Sequence, residues 1–219
     1  MKAILFDFDG TIADTIPVLT EAVNRTLAGF GYPGHGTVKG FINHGARELM
    51  RGALPKELQK DEALLDTAFE KYTQNYRKIY LHTNKPYAGI YRAMETIRPH
   101  AKIGILSNKP DEMTQGLVKQ LFPDGQVDAA VGFEDGKPGK PDPYLAKKVA
   151  DRLCVRLCDC LLVGDSEVDI ETARNAGMEF VGAGWGFIGT KALYAAGAER
   201  VAPTPGDLFA EIADFINEK

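Results

Sequence analysis

The stretch Lys2-Ala3-Ile4-Leu5-Phe6-Asp7-Phe8-Asp9-Gly10-Thr11 decides the fold and points to the chemistry of this chain. An apolar run, typical of a buried strand, reaches two carboxylates, and Gly10-Thr11 then turns the chain. Since residues i and i+2 share one face of a strand, Asp7 and Asp9 are expected to point the same way. Two carboxylates ~4 Å apart repel by about 4 kcal/mol at an effective dielectric constant of ~20. The pair therefore predicts a counter-ion, most simply Mg²⁺, which prefers oxygen ligands.

Two other interpretations of this stretch are open. Asp and Gly are common where a strand turns, so a turn explains an Asp-x-Asp-Gly motif about as well as chemistry does. A calcium-binding loop is the second alternative, but the spacing argues against it. Gly10 comes too early for such a loop, and Val18 stands where the closing glutamate is needed.

The composition is that of a soluble globular protein with enough length for a substantial core. Of the 219 residues, 44% are hydrophobic and 26% are charged. The net charge of −4 gives no electrostatic reason to expect a nucleic-acid partner. No apolar run approaches the ~20 residues that span a bilayer, and the N-terminus lacks the pattern of a signal peptide. We therefore expect a cytoplasmic protein with no membrane partner.

The three cysteines, Cys154, Cys158 and Cys160, are closely grouped and form no Cys-x-x-Cys motif. Cys160 stands in an apolar run and is expected to be a buried free thiol, which fits a reducing cytoplasm. A zinc site made from these cysteines and a distant histidine is the alternative.

Residues 14–83 carry a helical pattern with no signal for a strand. Apolar side chains recur at helical spacing after Ile16, and a long amphipathic segment begins at Pro55. Short helices are expected between them, over 35–54. Asn84-Lys85-Pro86 is typical of a hinge. The pattern predicts an all-helical domain inserted after the first strand.

From residue 84 onward, helices and apolar strands alternate along the chain. The sequence predicts helices over 88–98, 111–121, 142–153, 167–176 and 205–217, and strands over 101–106, 129–133, 160–163, 179–182 and 200–202. Such alternation is typical of a Rossmann-like α/β fold, a parallel sheet with helices on both faces. Residues 1–13 and 84–219 are therefore expected to form one domain. Ligands of such sheets bind beyond the carboxyl ends of the strands, where Asp7 and Asp9 stand.

Polar groups also follow two later elements of this sheet. Ser107 and Asn108 come after the second core strand and offer a hydroxyl and an amide, although a turn or a helix cap explains them as well. The loop Gly136–Pro143 is stiffened by prolines and presents Lys137 and Lys140. A lysine in this loop could neutralise a phosphate and the carboxylates together, whereas the plainer interpretation is a solvated loop.

Asp165 stands at the end of the strand 160–163, and Asp169 follows one helical turn later. Ser166-x-x-Asp169 fits a capping box, which explains Asp169 without chemistry but leaves Asp165 unexplained. Taken together, these positions bring carboxylates, a hydroxyl and a lysine to one edge of one sheet.

The order of these motifs resembles the haloacid dehalogenase-like hydrolase superfamily over the whole chain. The resemblance rests on Asp7-x-Asp9-Gly-Thr, Ser107, Lys140-Pro-Asp-Pro, and Gly164-Asp165 with Asp169. The helical insert is similar in position to the cap domain of that family. A finer resemblance is to phosphoglycolate phosphatases, although pyrophosphatases and sugar-phosphate phosphatases share much of it. It rests on three segments, His44–Leu49, Gly184–Phe187 and Gly197–Val201.

The resemblance implies hydrolysis of a small phosphorylated metabolite through an aspartyl-phosphate, with Mg²⁺ as cofactor. It makes Asp7 the nucleophile, and Asp9 first the general acid and then the general base. It implies that Mg²⁺ is bound by the Asp7 carboxylate, the Asp9 backbone carbonyl and Asp165. Asp169 either binds the ion through water or holds Lys140.

The resemblance also implies the groups that bind the substrate. Ser107 and the backbone amides around Gly10-Thr11 and Asn108 would bind the phosphoryl oxygens. Lys140 would offset charge, and we prefer it to Lys137 because Lys140-Pro-Asp-Pro leads directly into a helix. Arg47 of the insert is the candidate for a substrate carboxylate, with an ordinary surface charge as the alternative. Lys39 and His44 are weaker candidates for that role.

Several competing functions keep part of this pattern. A dehalogenase would not need Asp9, whereas a phosphomutase would keep every motif. A phospho-receiver-like signalling module pairs acids around Mg²⁺, but with another motif order and no insert, and a pseudoenzyme would show degraded motifs. Gly184-x-Gly186-x-x-Gly189 resembles a dinucleotide fingerprint, yet bulky Trp185 and Phe187 interrupt it.

We expect a monomer or a homodimer.

Overall fold

The structure is a computed structural model that describes residues 1–42, 45–123 and 125–218. The chain divides into two compact units, one formed by Met1–Asp14 with the chain from Lys85 onward, the other by Thr15–Asn84. The roles of catalytic core and cap for these parts of the chain stay predictions. Among the described helices, none combines the length and the apolar character that a membrane span requires.

The first unit is built on a six-stranded parallel sheet. The strands of the chain, including two short ones outside this sheet, are β1 (Ala3–Phe6), β2 (Ala13–Asp14), β3 (Lys85–Pro86), β4 (Lys102–Pro110), β5 (Ala129–Phe133), β6 (Cys160–Gly164), β7 (Glu179–Ala183) and β8 (Val201–Ala202). The order across the sheet is β5-β4-β1-β6-β7-β8, with all neighbours parallel. The apolar, fully buried strand β1 lies between β4 and β6.

Helices flank this sheet and close its core, so the predicted α/β sheet fold is confirmed. The helices of the first unit are α5 (Ile90–Ile97), α6 (Asp111–Leu121), α7 (Tyr144–Leu153), α8 (Glu167–Ala176), α9 (Gly189–Ala195) and α10 (Leu208–Asn217). Helix α7 packs on β1, β4 and β5. Its Val149 lies in a buried cluster with Leu5 of β1, Leu106 of β4 and Leu162 of β6.

Most predicted boundaries of the sheet unit agree with the structure within three residues. The predicted helix over 142–153 begins at Tyr144, two residues later, with Pro143 as its N-cap. Asp142 Oδ1 accepts the Tyr144 amide at 2.8 Å in the turn before the helix. The predicted strand over 101–106 was too short, since β4 continues to Pro110. Its pairing with β5 shifts register between Leu106 and Pro110. This irregular end carries Ser107, Asn108 and Lys109.

The predicted hinge at Asn84-Lys85-Pro86 contains a strand that the sequence did not indicate. Strand β3 pairs antiparallel with β2, so that Ala13 lies opposite Pro86 and Asp14 opposite Lys85. Pro86 is tolerated because this sheet has only two strands and each is an edge. The segments that leave and re-enter the first unit, β2 and β3, are thus paired with each other within that unit.

The second unit is helical in the residues that the structure describes. It contains α1 (Ile16–Gly29), α2 (Ala46–Ala53), α3 (Glu62–Arg77) and α4 (Tyr80–Thr83), with 3-10 turns at Lys39–Phe41 and Lys56–Leu58. The long segment predicted from Pro55 is therefore divided among a turn and two helices. Asp61 caps α3 by accepting the Leu64 amide at 3.0 Å. Helix α3 is joined to α1 by a hydrogen bond from Asn75 to Thr26.

Candidate active site

The structure places Asp7 and Asp9 directly after the carboxyl end of β1. The Asp7 amide donates to Val163 O at 2.9 Å, so Asp7 is still attached to the sheet. Phe8 between the two acids is fully buried. Gly10 adopts a φ of 83°, a left-handed conformation that favours glycine. The Gly10 amide donates to Ala13 O at 2.9 Å, which closes a tight turn directly after Asp9.

Lys140 lies between two carboxylates. Its Nζ is 2.7 Å from Asp7 Oδ1 and 2.6 Å from Asp169 Oδ1, and its side chain is 4% exposed. The Asn108 side chain fixes the Lys140 backbone, because its Oδ1 accepts the amide at 2.7 Å and its Nδ2 donates to the carbonyl at 3.0 Å. Lys137, the other lysine of this loop, is exposed. The loop therefore brings Lys140 to the acids.

Asp165 and Asp169 come from the end of β6 and the first turn of α8. Asp165 Oδ1 accepts a hydrogen bond from the Thr11 hydroxyl at 3.2 Å. Asp169 takes part in the predicted capping box, since its Oδ2 accepts the Ser166 amide at 3.1 Å and the Ser166 hydroxyl at 2.5 Å. Its Oδ1 meanwhile accepts from Lys140. Asp169 is thus both a helix cap and a partner of the buried lysine.

The loop after β7 completes the surroundings of Asp165. The Phe187 amide donates to Asp165 Oδ2 at 2.6 Å, and Trp185 Nε1 donates to Thr11 O at 2.9 Å. A Cβ atom at Gly186 would lie 2.6 Å from Asp165 Oδ2, which is too close for any other residue. Glycine at position 186 is therefore explained by close packing on this carboxylate, a role the sequence alone did not suggest.

Asp7, Asp165 and Asp169 form a group that could hold a cation. Each offers a carboxylate oxygen, and these atoms lie within 4.8 Å of one another in a buried site. In addition, Asp9 Oδ1 is buried and meets no hydrogen-bond partner among the residues that the structure describes. Hard oxygen ligands of this kind suit Mg²⁺ better than softer metals. Over the described part of the chain, no zinc site of cysteine and histidine occurs, and Cys160 is buried and free.

The charges of the site do not balance. It holds four carboxylates and two ammonium groups, those of Asp7, Asp9, Asp165, Asp169, Lys109 and Lys140. Burial raises the pKa of Asp7 to about 7, although Lys140 opposes the shift. Burial and the charges of Asp169 and Asp7 raise the pKa of Asp165 well above its usual range. A divalent cation would remove this penalty, so the residues fit the ion that the sequence predicts.

Lys140 itself stays charged. Burial alone would lower the pKa of its ammonium group, but the charges and hydrogen bonds of Asp169 and Asp7 outweigh burial and raise that pKa. The raised pKa favours the charged form of Lys140 beside Asp7.

The candidate phosphate-binding residues are joined by hydrogen bonds to the acids and lysines of the site. Ser107 is buried at the irregular end of β4, and its Oγ accepts the Lys109 amide at 3.1 Å. The Thr11 hydroxyl and the Asn108 side chain are engaged by Asp165 and by the Lys140 backbone, respectively. These two side chains therefore support the site, and phosphate binding by their backbone amides stays a prediction. The Gly10 amide, also expected to bind phosphate, instead donates to Ala13 O at 2.9 Å.

Two residues of the site were missed from sequence. Lys109 Nζ lies 3.2 Å from Asp9 Oδ2, and its side chain is 5% exposed. A signal existed, because Lys109 is two residues beyond Ser107 in a strand and shares its face. Tyr87 is half-buried, and burial together with the carboxylates of Asp14, Asp165 and Asp9 raises the pKa of its phenol. Nothing in the local sequence marks Tyr87.

Arg47 lies in helix α2 of the second unit. Its guanidinium bonds Glu62 Oε2 at 2.8 Å and Asp66 Oδ1 at 2.6 Å, and these hydrogen bonds raise its pKa. A substrate carboxylate would have to compete with both acids for this group. Lys39 is exposed in a 3-10 turn, and His44 lies outside the described residues.

Comparison with known proteins now identifies the family. The model of the haloacid dehalogenase-like hydrolases matches residues 4–183, which span the sheet strands β1 to β7 and the insert. The chain belongs to this family. It has the four acids, Ser107 and the buried lysine in the order along the chain on which the resemblance rested.

Within this family, the chain is similar to phosphoglycolate phosphatases. It is 30% identical to that of Aquifex aeolicus over 197 residues, 86% of this chain and 87% of the relative. It is 27% identical to that of Nitrosospira multiformis over 210 residues, 93% of this chain and 92% of the relative. The chain also resembles a crystal structure from Lactobacillus delbrueckii that is provisionally named a phosphoglycolate phosphatase. The alignment covers the whole of both chains, with a TM-score of 0.84 and 32% sequence identity.

Proposed function

We propose that this phosphoric monoester hydrolase is a Mg²⁺-dependent phosphatase of a small metabolite similar to 2-phosphoglycolate. The observation that carries the proposal is the buried cluster of Asp7, Lys140 and Asp165, which has more negative than positive charge. Such a cluster can accept a phosphoryl dianion only together with a divalent cation. The similarity to phosphoglycolate phosphatases supports the substrate class.

Asp7 is the nucleophile of the proposed reaction. It forms a bond to phosphorus in line while the ester P–O bond breaks, which gives an aspartyl-phosphate and an alcohol. Lys140 holds Oδ1 of Asp7 at 2.7 Å, fixes its orientation and offsets the repulsion between carboxylate and phosphate. Because the Asp7 backbone is bonded to Val163 in the sheet, the direction of attack is set by a rigid element.

Asp9 is the general acid and then the general base. It gives a proton to the leaving oxygen and later takes one from the water that hydrolyses the aspartyl-phosphate. Its position on the loop after β1, two residues beyond the nucleophile, suits both transfers. A dehalogenase would have no use for this group, so its presence favours a phosphatase.

A magnesium ion would be held by the carboxylates of Asp7 and Asp165 and by the backbone carbonyl of Asp9. When bound, it would neutralise charge and orient the phosphoryl oxygens. Asp169 contributes indirectly, because its two oxygens are engaged by Lys140 and Ser166. It keeps Lys140 in place and adds negative charge nearby.

Ser107 and the backbone amides of Thr11 and Asn108 bind the phosphoryl oxygens in this proposal, whereas the Gly10 amide stays bonded to Ala13 O and shapes the turn. Residues 14–83 act as the cap that excludes water and recognises the rest of the substrate. Arg47 remains the candidate for a substrate carboxylate, provided that it exchanges its present partners for the substrate.

The test is phosphate release from 2-phosphoglycolate, pyrophosphate and hexose phosphates, with Mg²⁺ and with a chelator. We expect turnover of a small monoester that requires Mg²⁺, and loss of nearly all activity in Asp7→Asn. Asp135→Asn, at an exposed turn, is the matched control and should retain activity. Activity of Asp7→Asn equal to that of the wild type would reject the nucleophile, and preference for pyrophosphate or a hexose phosphate would reject the substrate class.

A further inference from the structure

Lys109 is the buried cation of the site that the mechanism above does not use. Its Nζ lies 3.2 Å from Asp9 Oδ2, and its side chain is 5% exposed. An ammonium group is costly to bury unless it is paired, so this contact is part of what allows Lys109 to point inward. The pairing joins the last residues of β4 to the loop that carries the acid and base.

The Lys109 backbone is held by groups on three sides. Its amide donates to Ser107 Oγ at 3.1 Å, and its carbonyl accepts from the Thr114 hydroxyl at 3.2 Å. A Cβ atom at Gly132 of β5 would lie 2.6 Å from the Lys109 carbonyl oxygen, so the two strands approach closely here. Lys109 therefore extends from a rigid part of the sheet edge.

Asp9 is less constrained than Lys109. It lies on the loop after β1, and its side chain is 25% exposed. Its Oδ1 is buried and has no hydrogen-bond partner, and Lys109 is the side chain that bonds Oδ2 within the described residues. Among the described contacts, the ion pair with Lys109 is thus the one that orients the Asp9 carboxyl group.

We infer that Lys109 is a positioning residue for Asp9. This inference rests on the proposed function of Asp9 as general acid and base. An ammonium group can donate to Oδ2 whether or not Oδ1 carries a proton, so the same contact orients the group in both steps. In the first step Asp7 bonds to phosphorus, the ester P–O electron pair goes to the leaving oxygen, and that oxygen takes the proton from Asp9 Oδ1. In the second step Asp9 takes a proton from water.

The inference makes a prediction about leaving groups. An alkoxide needs a proton as it leaves, whereas p-nitrophenolate does not. The value of kcat/KM includes only the steps up to release of the alcohol or phenol. The ratio of kcat/KM for p-nitrophenyl phosphate to kcat/KM for an alkyl phosphate therefore reports how much the reaction needs the general acid. General acid catalysis contributes about 10²- to 10⁴-fold, and Asp9→Asn should raise this ratio by that order.

The test is a double-mutant cycle on this ratio. Lys109→Met should raise the ratio at least ~10-fold in the wild-type background and leave it unchanged in Asp9→Asn, because residues that act through one another are not additive. Lys109→Arg should restore most of the wild-type ratio. Lys147→Met, an exposed lysine on α7, is the matched control and should change neither ratio nor rate.

Three results would overturn the inference. Equal losses of kcat/KM for both substrates in Lys109→Met would show a structural or binding role. An equal change of the ratio by Lys109→Met in the wild-type and Asp9→Asn backgrounds would show that Lys109 acts on the substrate without Asp9. If Lys109→Met does not fold, Lys109→Gln is the variant to use. A wild-type ratio of the two kcat/KM values in folded Lys109→Gln would show that Lys109 does not position Asp9. If Asp9→Asn itself leaves the ratio unchanged, the proposed role of Asp9 is wrong, which distinguishes the two failures.

Discussion

Replacement of Lys140 by methionine tests how the buried charges are balanced. Lys140 Nζ is within 2.7 Å of Asp7 and Asp169, and at this distance two unit charges attract by about 6 kcal/mol at an effective dielectric constant of ~20. Desolvation opposes most of this attraction, and removal of one partner of a buried pair typically costs about 3–5 kcal/mol. For a chain of this size, that corresponds to roughly 6–20 °C in Tm.

The loss in Lys140→Met should depend on pH. The pKa of Asp7 is raised to about 7 even with Lys140 in place, and the loss of the ammonium group raises it further. A carboxyl whose folded pKa lies above its unfolded value stabilises the fold below the unfolded pKa and loses that effect as pH rises through the folded pKa. The variant should therefore be most destabilised, relative to the wild type, at pH 8 and least at pH 5.

The assay is urea unfolding of the metal-free protein, followed by the fluorescence of Trp185. This single tryptophan lies beside the site, since its Nε1 donates to Thr11 O, and it reports on the sheet unit. The matched control is Lys137→Met in the same loop, where the lysine is exposed and the change should be within ~0.5 kcal/mol. Equal effects of the two substitutions, or a Lys140→Met loss that does not grow with pH, would refute the reasoning.

Three further predictions follow from the same contacts. Mg²⁺ should raise Tm more at pH 8 than at pH 5.5. Protons compete with the ion for Asp7, because the pKa of this carboxyl is about 7 without the metal. Thermal shift assays at the two pH values measure the difference. Gly186→Ala should cost about 1–3 kcal/mol and weaken Mg²⁺ binding in a Trp fluorescence titration, because its Cβ would lie 2.6 Å from Asp165 Oδ2. Arg47→Ala should change stability by less than ~1 kcal/mol, since its ion pairs are exposed, and raise KM for 2-phosphoglycolate more than for methyl phosphate.

Each of these has a result that counts against it. An equal gain in Tm at both pH values would mean that protons do not compete for the metal site. Gly206→Ala is the control for the glycine, because its Cβ would meet its nearest neighbour at an ordinary 3.5 Å, and an equal cost there would remove the close-packing argument. Wild-type turnover of 2-phosphoglycolate by Arg47→Ala would reject the role of Arg47 in specificity.

The sequence by itself determined the elements and the positions of the acids. Apolar runs and helical spacing are local, so they gave α6 and α8 at their observed bounds and placed Asp7 and Asp165 at strand ends. The alternation of strands and helices also indicated a parallel sheet. The positions and bounds of these elements depend only on neighbours within a few residues, whereas the sheet type follows from their alternation along the whole chain.

Only the tertiary structure decided which groups meet. Thr11 and Asp165 are 154 positions apart and bond because β1 lies next to β6. Lys109 reaches Asp9 because β4 flanks β1 on its other side and continues beyond its expected end. Periodicity reports which face a side chain takes, but strand order and close packing set its distance from groups elsewhere in the chain. The partners of the acids, and with them the charge balance of the site, therefore come from the packed sheet.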